Sequence, residues 1–427
     1  MPNKIILAIN AGSSSVKTSV FSYTSGGSNP KELAVIQVAG LTAPPATLKY
    51  DRGDKHVKDK ELSESDIDPK NAQEGAYEYI LKTLTEDEGL TELKHADDIE
   101  FVCHRVVHGG DYDKPVRIDK DTYEHLEALS DLAPLHNAGA LEIVKAVHEK
   151  SPRATNIAFF DNAFHQTLPA ATRTYAIDQE VAKKNKLRKY GFHGLSYAFI
   201  TSAVASHLNK SADDLNIIAL HLGSGASACC IQGGKSIDTS MGLTPLAGLP
   251  GATRSGSLDP SLIFHFTHDA GKLSHGSSKD LHITTAEEIL NKKSGWKALT
   301  GTTDFGVISK KASEGDEKCK LAFDIFIGRI TDFVAAYYVK LGGKVDALVF
   351  AGGIGEKGSQ LREAVVEKVA CLGFGLDAGK NAKPGEQVVV EIGKEGYNHK
   401  VLVCQTDEQT EMARQCAIGA EQLKRPS

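Results

Sequence analysis

Two stretches of the chain, Ile6 to Val16 and Ile217 to Ser227, read alike: an apolar run, a polar residue, a Gly-Ser turn, then small residues entering a second apolar run. Setting Gly12 against Gly223 gives an offset of 211 residues, about half of the 427-residue chain. A strand-turn-strand unit that recurs at half the length predicts two lobes of similar construction. Length alone points the same way, because a chain this long exceeds what one hydrophobic core comfortably serves. Similarity this short also arises from strand composition, so strand order decides between the two readings.

Apolar runs of strand length recur at "IILAI", "FVCHRVVH", "NIAFF", "NIIALHL" and "ALVFAGG", separated by helical patterns such as "NAGALEIVKAVHEK". The class is therefore α/β. Lys49 to Asp68 is charged and carries the turn signal "DRGD", which predicts a solvent-facing hairpin or an insertion. The basic cluster Lys183 to Lys189 predicts a solvated helix end. From Thr406 the segment "TDEQ" has the capping-box pattern, followed by Met412, Ala413, Cys416, Ala417 and Ala420 on helical spacing, so a helix packed on the body is expected.

A net charge of −6 gives no global pull toward nucleic acid or an acidic membrane, and neither is expected as a partner. The seven cysteines are scattered, with Cys229 and Cys230 adjacent and no CxxC spacing, which predicts neither a metal nor a disulfide framework and fits a reducing cytoplasm. Strand-like sequence begins at Ile5, leaving no room for a signal peptide, and no apolar run approaches a membrane span.

The stretch "INAGSSSVK" ends the first apolar run and lacks the GK[ST] of a Walker loop. It reads as a hairpin in which Gly12 admits a positive φ, while Ser13, Ser14 and Ser15 offer N–H groups and hydroxyls to an anion and Asn10 adds an amide. An ordinary turn is the other reading. The second turn, "HLGSGAS", shifts that balance, since two such turns can clamp a polyphosphate; His221 stands there in the place of Asn10. A third glycine cluster, "AGGIGEKGSQ", follows a buried strand and precedes a helix, predicting a strand-loop-helix element. It lacks GxGxxG spacing, so close approach to a nucleotide ribose or phosphate competes with a merely compact loop.

Phosphoryl transfer also needs cations against the migrating charge, a metal site and a held acceptor. Candidates are Arg105 in "CHRVVHGG", Arg254 in "GATRSGSLDP", His193 in "YGFHG", Asp161 in "FFDNAFH", His136 in "APLHNAG" and Glu408 in "QTDEQ". Singly, a loop arginine is more often a surface ion pair and a histidine more often a satisfied interior group.

Together "INAGSSSVK", "HRVVHGG", "FFDNAFH", "YGFHG", "HLGSGAS", "TRSGSLDP", "AGGIGE" and "TDEQ" resemble the acetate kinase family over nearly the whole chain. The resemblance implies the fold shared with sugar kinases, heat-shock chaperone ATPases and actin: two duplicated ribonuclease H-like βββαβαβα lobes with nucleotide in the cleft. The first lobe is expected over residues 1–162 and 409–427, the second over 163–408. The implied reaction is reversible, Mg2+-dependent transfer of the γ-phosphoryl group of ATP to a short-chain carboxylate, with Mn2+ as an alternative metal and a homodimer as the assembly.

By this likeness Arg105 and Arg254 hold the acceptor carboxylate and the planar group in flight, His193 donates a hydrogen bond to it, and Asp161 positions Arg105 and orients the acceptor. Val107, Leu135, Phe192 and Pro245 match the acyl pocket, and His136 and His221 are supporting donors. Asn10 and Glu408 lie at the metal. The nucleotide and its phosphates are implied to meet Asn10, Ser13, Ser15, Lys17, His221, Gly223, Ser224, Gly225, Asp304, Gly352, Gly353, Ile354 and Gly355. The chain departs from the family pattern at Ser224, Gly306 and Lys357, where asparagine, arginine and asparagine are usual, and at Ala247 and Ser257, where acidic residues are commoner. The first three lie on the donor side, which leaves pyrophosphate as an alternative donor. Propionate or butyrate is an alternative acceptor, and a nucleotide-driven conformational switch is the alternative of a different class.

Overall fold

The computed structural model describes residues 4–12, 14–24, 27, 29–42, 45–68, 71–129, 134–266, 269–274, 277 and 283–424, with only the backbone described at 134–136 and 138. The chain divides into two compact units, Met1–Ala163 with Asp407–Ser427, and Phe164–Thr406. Asp407 and Glu408 thus belong with the first unit.

The first unit contains β1 (Lys4–Ala11), β2 (Ser15–Tyr23), β3 (Lys31–Ala39), β4 (Ala46–Arg52), β5 (Lys55–Leu62), β6 (Ile99–Val106), β7 (Val116–Arg117) and β8 (Thr155–Phe160). They form one sheet in the order β5-β4-β3-β2-β1-β6-β8-β7. β1 is central, and Ile5 to Ile9 are all buried, which explains why this run lacks the alternation of a one-sided strand. Helix Ala72–Thr85 buries Ala76, Tyr77, Ile80 and Leu84, on its 3.6-residue stripe, against the same core. The charged stretch after Lys49 forms the β4–β5 hairpin, largely exposed, as its charge pattern predicts.

The last helix, Glu408–Leu423, buries Met412, Ala413, Cys416, Ala417 and Ala420. Its cap differs from expectation. Asp407, not Thr406, is the N-cap, and its carboxylate accepts from the N–H groups of Gln409 and Thr410. An aspartate one residue later offers a better acceptor to the first-turn N–H groups, so the helix starts one residue further on and the capping box does not form. Gln409 instead donates from Nε2 to the Ala8 carbonyl, 3.1 Å away, tying the helix to β1.

The second unit contains β9 (Asn216–Leu222), β10 (Ala226–Gln232), β11 (Lys235–Thr239), β12 (Ala347–Ala351), β13 (Val389–Glu391) and β14 (Lys400–Cys404), ordered β11-β10-β9-β12-β14-β13. Helix Glu317–Lys340 covers one face through Phe326, Ile327, Ile330 and Val334. Helix Gly194–His207 covers the other with Tyr197, Ile200 and Val204.

Without the additions β4, β5, β7 and β13, both sheets have the order third, second, first, fourth, fifth strand. In each, the first three strands are antiparallel and the last two run parallel to the first. The repeat is therefore topological, in the ribonuclease H-like order expected, and Gly12 and Gly223 each open the turn after the unit's first strand. The basic cluster is a helix end only in part: helix Gln179–Lys184 is exposed except at Ala182, but Arg188 lies over the Tyr190 ring and Lys189 is paired with the buried Asp238. Among the described residues no helix is long and apolar enough to cross a membrane.

Candidate active site

In the first unit, five of the expected residues lie where β1, β6 and β8 end and β2 begins. Asn10 and Lys17 are register partners across the β1–β2 hairpin. Arg105, near the end of β6, donates from Nε and Nη2 to the two oxygens of Asp161, at 2.9 and 2.7 Å. Asp161 follows β8 and is 1% exposed, and both of its oxygens are met by this fork. The third edge of the guanidinium reaches Glu408, Nη1 to Oε2 at 2.7 Å, and Asn10 donates from Nδ2 to the same oxygen at 3.2 Å. Burial opposes the charge on Arg105, but its two carboxylates outweigh burial and raise its pKa. Glu408 is pushed upward by burial, with the Arg105 charge working against that rise and the Asp161 charge adding to it.

The turn itself corrects one expectation. Gly12 is exposed and is not in the left-handed conformation, so its freedom is not used; its N–H closes the turn onto the Ser15 carbonyl at 2.9 Å. Ser13 lies outside the described residues. Ser14 and Ser15 are exposed and half-buried, and Val107 is half-buried just past β6. Leu135 and His136 lie in helix Pro134–Lys150, but their side chains are outside the described residues.

In the second unit the glycines do constrain the site. The Gly223–Gly225 turn links β9 to β10, and a Cβ on Gly225 would strike the Arg254 guanidinium and come to 3.7 Å from His193 Nε2. On Gly223 a Cβ would stand 3.9 Å from His221 Nε2. Both imidazoles thus aim Nε2 at one turn that also receives an arginine. The two rings stack with centroids 4.1 Å apart. His193 takes φ 61 as the N-cap of helix Gly194–His207, a strained position for a non-glycine residue. Arg254 is anchored by donating from Nη1 to the Pro245 carbonyl at 3.2 Å, and Pro245 and Phe192 are buried.

Hydrogen bonds link this pair to neighbouring hydroxyls. The Tyr197 hydroxyl accepts from the His221 backbone N–H and lies 2.5 Å from Ser227 Oγ. Ser227 Oγ in turn meets His193 Nδ1 at 2.8 Å, which fixes the plane of that ring. His221 Nδ1 meets Ser196 Oγ at 2.8 Å. Sequence reasoning missed Tyr197, Ser227 and Ser196, although Ser227 closes "HLGSGAS" and Ser196 follows "YGFHG".

The third glycine cluster is also corrected. No loop separates strand from helix: Ala351 ends β12 and directly caps a short helix, Gly352–Lys357. Gly352 takes φ 74 against the Leu222 backbone, 2.7 Å from Cβ to carbonyl oxygen if a side chain were added, so only glycine fits. Asp304 is an N-cap, accepting from Gly306 and Val307 N–H groups.

The acetokinase family model matches residues 5–414. The chain belongs to the acetokinase family. A relative from Neurospora crassa, named "Probable acetate kinase", is 54% identical over 98% of this chain and 94% of its own length. A solved propionate kinase of Francisella tularensis superposes with TM-score 0.82 at 34% identity over 96% of this chain and 98% of that one. The acetate kinase of Porphyromonas gingivalis gives 0.79 at 31%, over 97% and 99%.

The three donor-side departures of this chain from the usual pattern are solvent-facing. Ser224 is exposed in the second turn, with its carbonyl accepting from Ala252 N–H at 2.9 Å; Gly306 is exposed in the first turn of helix Phe305–Ser313; Lys357 is exposed at the end of Gly352–Lys357. None replaces a buried group.

Proposed function

We propose that the chain catalyses reversible transfer of the γ-phosphoryl group of ATP to acetate, giving acetyl phosphate and ADP, by direct in-line transfer. The observation that carries this reading is Arg105, held on one side by Asp161 and on another by Glu408. A guanidinium fixed by two carboxylates is oriented before substrate arrives, and the loose transition state of phosphoryl transfer depends on such preorganised charge.

Each residue then has a role. Arg105 and Arg254 bind the acceptor carboxylate and the metaphosphate-like group, and His193 donates to that group from Nε2. Asp161 positions Arg105 and orients the acceptor; His221 and His136 are supporting donors. Val107, Leu135, Phe192 and Pro245 take the methyl group. The turn residues Asn10, Ser13, Ser15, Lys17, Gly223, Ser224 and Gly225 meet phosphates, and Asp304 with Gly352, Gly353, Ile354 and Gly355 lie along the nucleotide. No covalent enzyme intermediate is required.

Among the described residues, no cluster of three or more His, Cys, Asp and Glu could hold a metal ion. That fits Mg2+ carried mainly by substrate phosphates and water, which needs only one or two protein oxygens. Glu408 Oε1 and the amide oxygen of Asn10 are suited to hold it, since their neighbouring atoms already pair with Arg105 and with each other. When bound, Mg2+ neutralises phosphate charge, and Mn2+ can take its place. We assign a homodimer in the cytoplasm.

Likeness to the propionate kinase favours propionate as the second acceptor to test. One methylene changes discrimination by only about 1–3 kcal/mol. Steady-state kinetics with ATP, GTP and pyrophosphate against acetate, propionate and butyrate decide the matter. Acetyl hydroxamate should form fastest from ATP and acetate with hydroxylamine present; ATP hydrolysis indifferent to any carboxylate would replace this reading with a conformational switch.

A further inference from the structure

Helix Gly352–Lys357 is pinned at both ends by side chains that no substrate-contact role requires. At its start, Glu356 folds back so that Oε1 accepts from the Gly352 N–H at 3.1 Å. The same oxygen accepts from the Thr406 N–H at 3.2 Å, where the chain leaves β14. At its end, the buried Arg362 guanidinium donates from Nη1 to the carbonyls of Gly355 and Glu356, both at 2.8 Å. Among the described residues Arg362 has no carboxylate partner; Asn381 completes its shell through Oδ1 and its carbonyl.

Thr406 leads onward. Its Oγ1 meets Ser196 Oγ at 2.8 Å, and Ser196 Oγ meets His221 Nδ1 at 2.8 Å. His221 carries the stacked His193. Gly352, for its part, is pressed against the Leu222 backbone at the entry to the Gly223–Gly225 turn. One carboxylate oxygen therefore holds the nucleotide segment and the strand end from which the histidine pair is oriented. A carboxylate accepting two backbone N–H bonds is a strong, charge-assisted clamp.

We propose that Glu356 is a positioning residue that locks the Gly352–Gly355 nucleotide segment and the His221–His193 pair into one arrangement, through the N–H groups of Gly352 and Thr406. The proposal rests on the nucleotide role assigned above. It predicts a paired defect: loosening the clamp weakens nucleotide binding, because Gly352 is released, and slows turnover, because the Thr406–Ser196–His221 chain is released.

The test compares Glu356→Ala and Glu356→Gln with the unaltered protein, with thermal denaturation as a check on folding. ATP affinity is measured by calorimetry without acetate, and kcat and KM for each substrate by hydroxamate formation. Alanine should weaken ATP binding five-fold or more and lower kcat ten-fold or more, on the order expected for one charge-assisted bond, while acetate KM stays within about twofold. Glutamine keeps an oxygen for both N–H groups and should restore ATP affinity to within about threefold. If alanine binds ATP as tightly as the unaltered protein, or glutamine is as defective as alanine, the clamp is not the cause and the proposal falls. An unaltered protein that binds ATP yet forms no acetyl phosphate overturns the acceptor assignment and leaves the calorimetric comparison decisive for Glu356; one that binds no ATP overturns both.

Discussion

Arg105 meets Asp161 through two parallel hydrogen bonds of 2.9 and 2.7 Å, and the aspartate is buried. The fork geometry, not charge alone, holds this pair. Arg105→Ala should lower kcat by on the order of 10² or more, and Arg105→Lys should recover little, because an ammonium cannot make both bonds while facing Glu408. Saturating kinetics on the two variants check this; an alanine variant with near-normal kcat would remove Arg105 from the chemistry.

Gly225 and Gly223 flank the same turn but should respond differently to alanine. At Gly225 the new methyl collides with the Arg254 guanidinium, whereas at Gly223 its nearest neighbour is the Gly225 carbonyl at 3.4 Å. Gly225→Ala should therefore lower kcat/KM ten-fold or more, about 1.4 kcal/mol or beyond, and Gly223→Ala by about threefold or less. Equal effects would mean that Arg254 tolerates displacement.

Gly306 is exposed, and among the described residues a Cβ there meets the Asp304 carboxylate at 3.1 Å, a tight contact. An arginine therefore requires the Asp304 carboxylate to shift by a few tenths of an ångström. If Asp304 and its neighbours meet the nucleotide phosphates, Gly306→Arg should lower the ATP KM several-fold with the acetate KM unchanged, within the roughly 1.5–3 kcal/mol of one charge-assisted bond. Kinetics with ATP and pyrophosphate as donors decide it; efficient turnover with pyrophosphate and only traces with ATP would refute the donor assignment.

His104 neighbours Arg105 on β6 but faces the interior, 1% exposed, with Nε2 2.7 Å from Asn156 Oδ1. Burial lowers its pKa to about 4 despite that acceptor. Unfolding restores a value near 6.5, so between those limits the unfolded chain binds the extra proton and stability falls as pH falls. The loss should approach about 3 kcal/mol by pH 4 and be absent above pH 7. Urea midpoints across that range, for the unaltered protein and His104→Gln, isolate the effect: the glutamine variant should lose less on acidification, and parallel curves would refute the assignment.

Much of this protein was legible in its sequence because the signals are local. Strand runs, glycine turns and the helix stripe from Met412 to Ala420 depend on neighbours a few residues away, and the repeated turn announced two similar sheets. Motif residues named candidates because phosphoryl transfer draws on few side-chain types. Local signals failed where two options competed at close range. Asp407 outbid Thr406 for the helix cap, and Gly352 began a helix directly where a loop was expected.

Tertiary structure alone decided which candidates share partners. Arg105 and Glu408 are some 300 residues apart and meet only because the last helix returns to β1, and Glu356 reaches Thr406 across 50 residues. Ser227, Tyr197 and Ser196 carry no signal of their own, since a serine or tyrosine becomes a partner that orients a histidine only when folding brings the ring within hydrogen-bond distance. Sequence determined the elements and the chemical repertoire; the hydrogen-bond geometry that orients Arg105, His193 and His221 arises from contacts between elements, which no local pattern encodes.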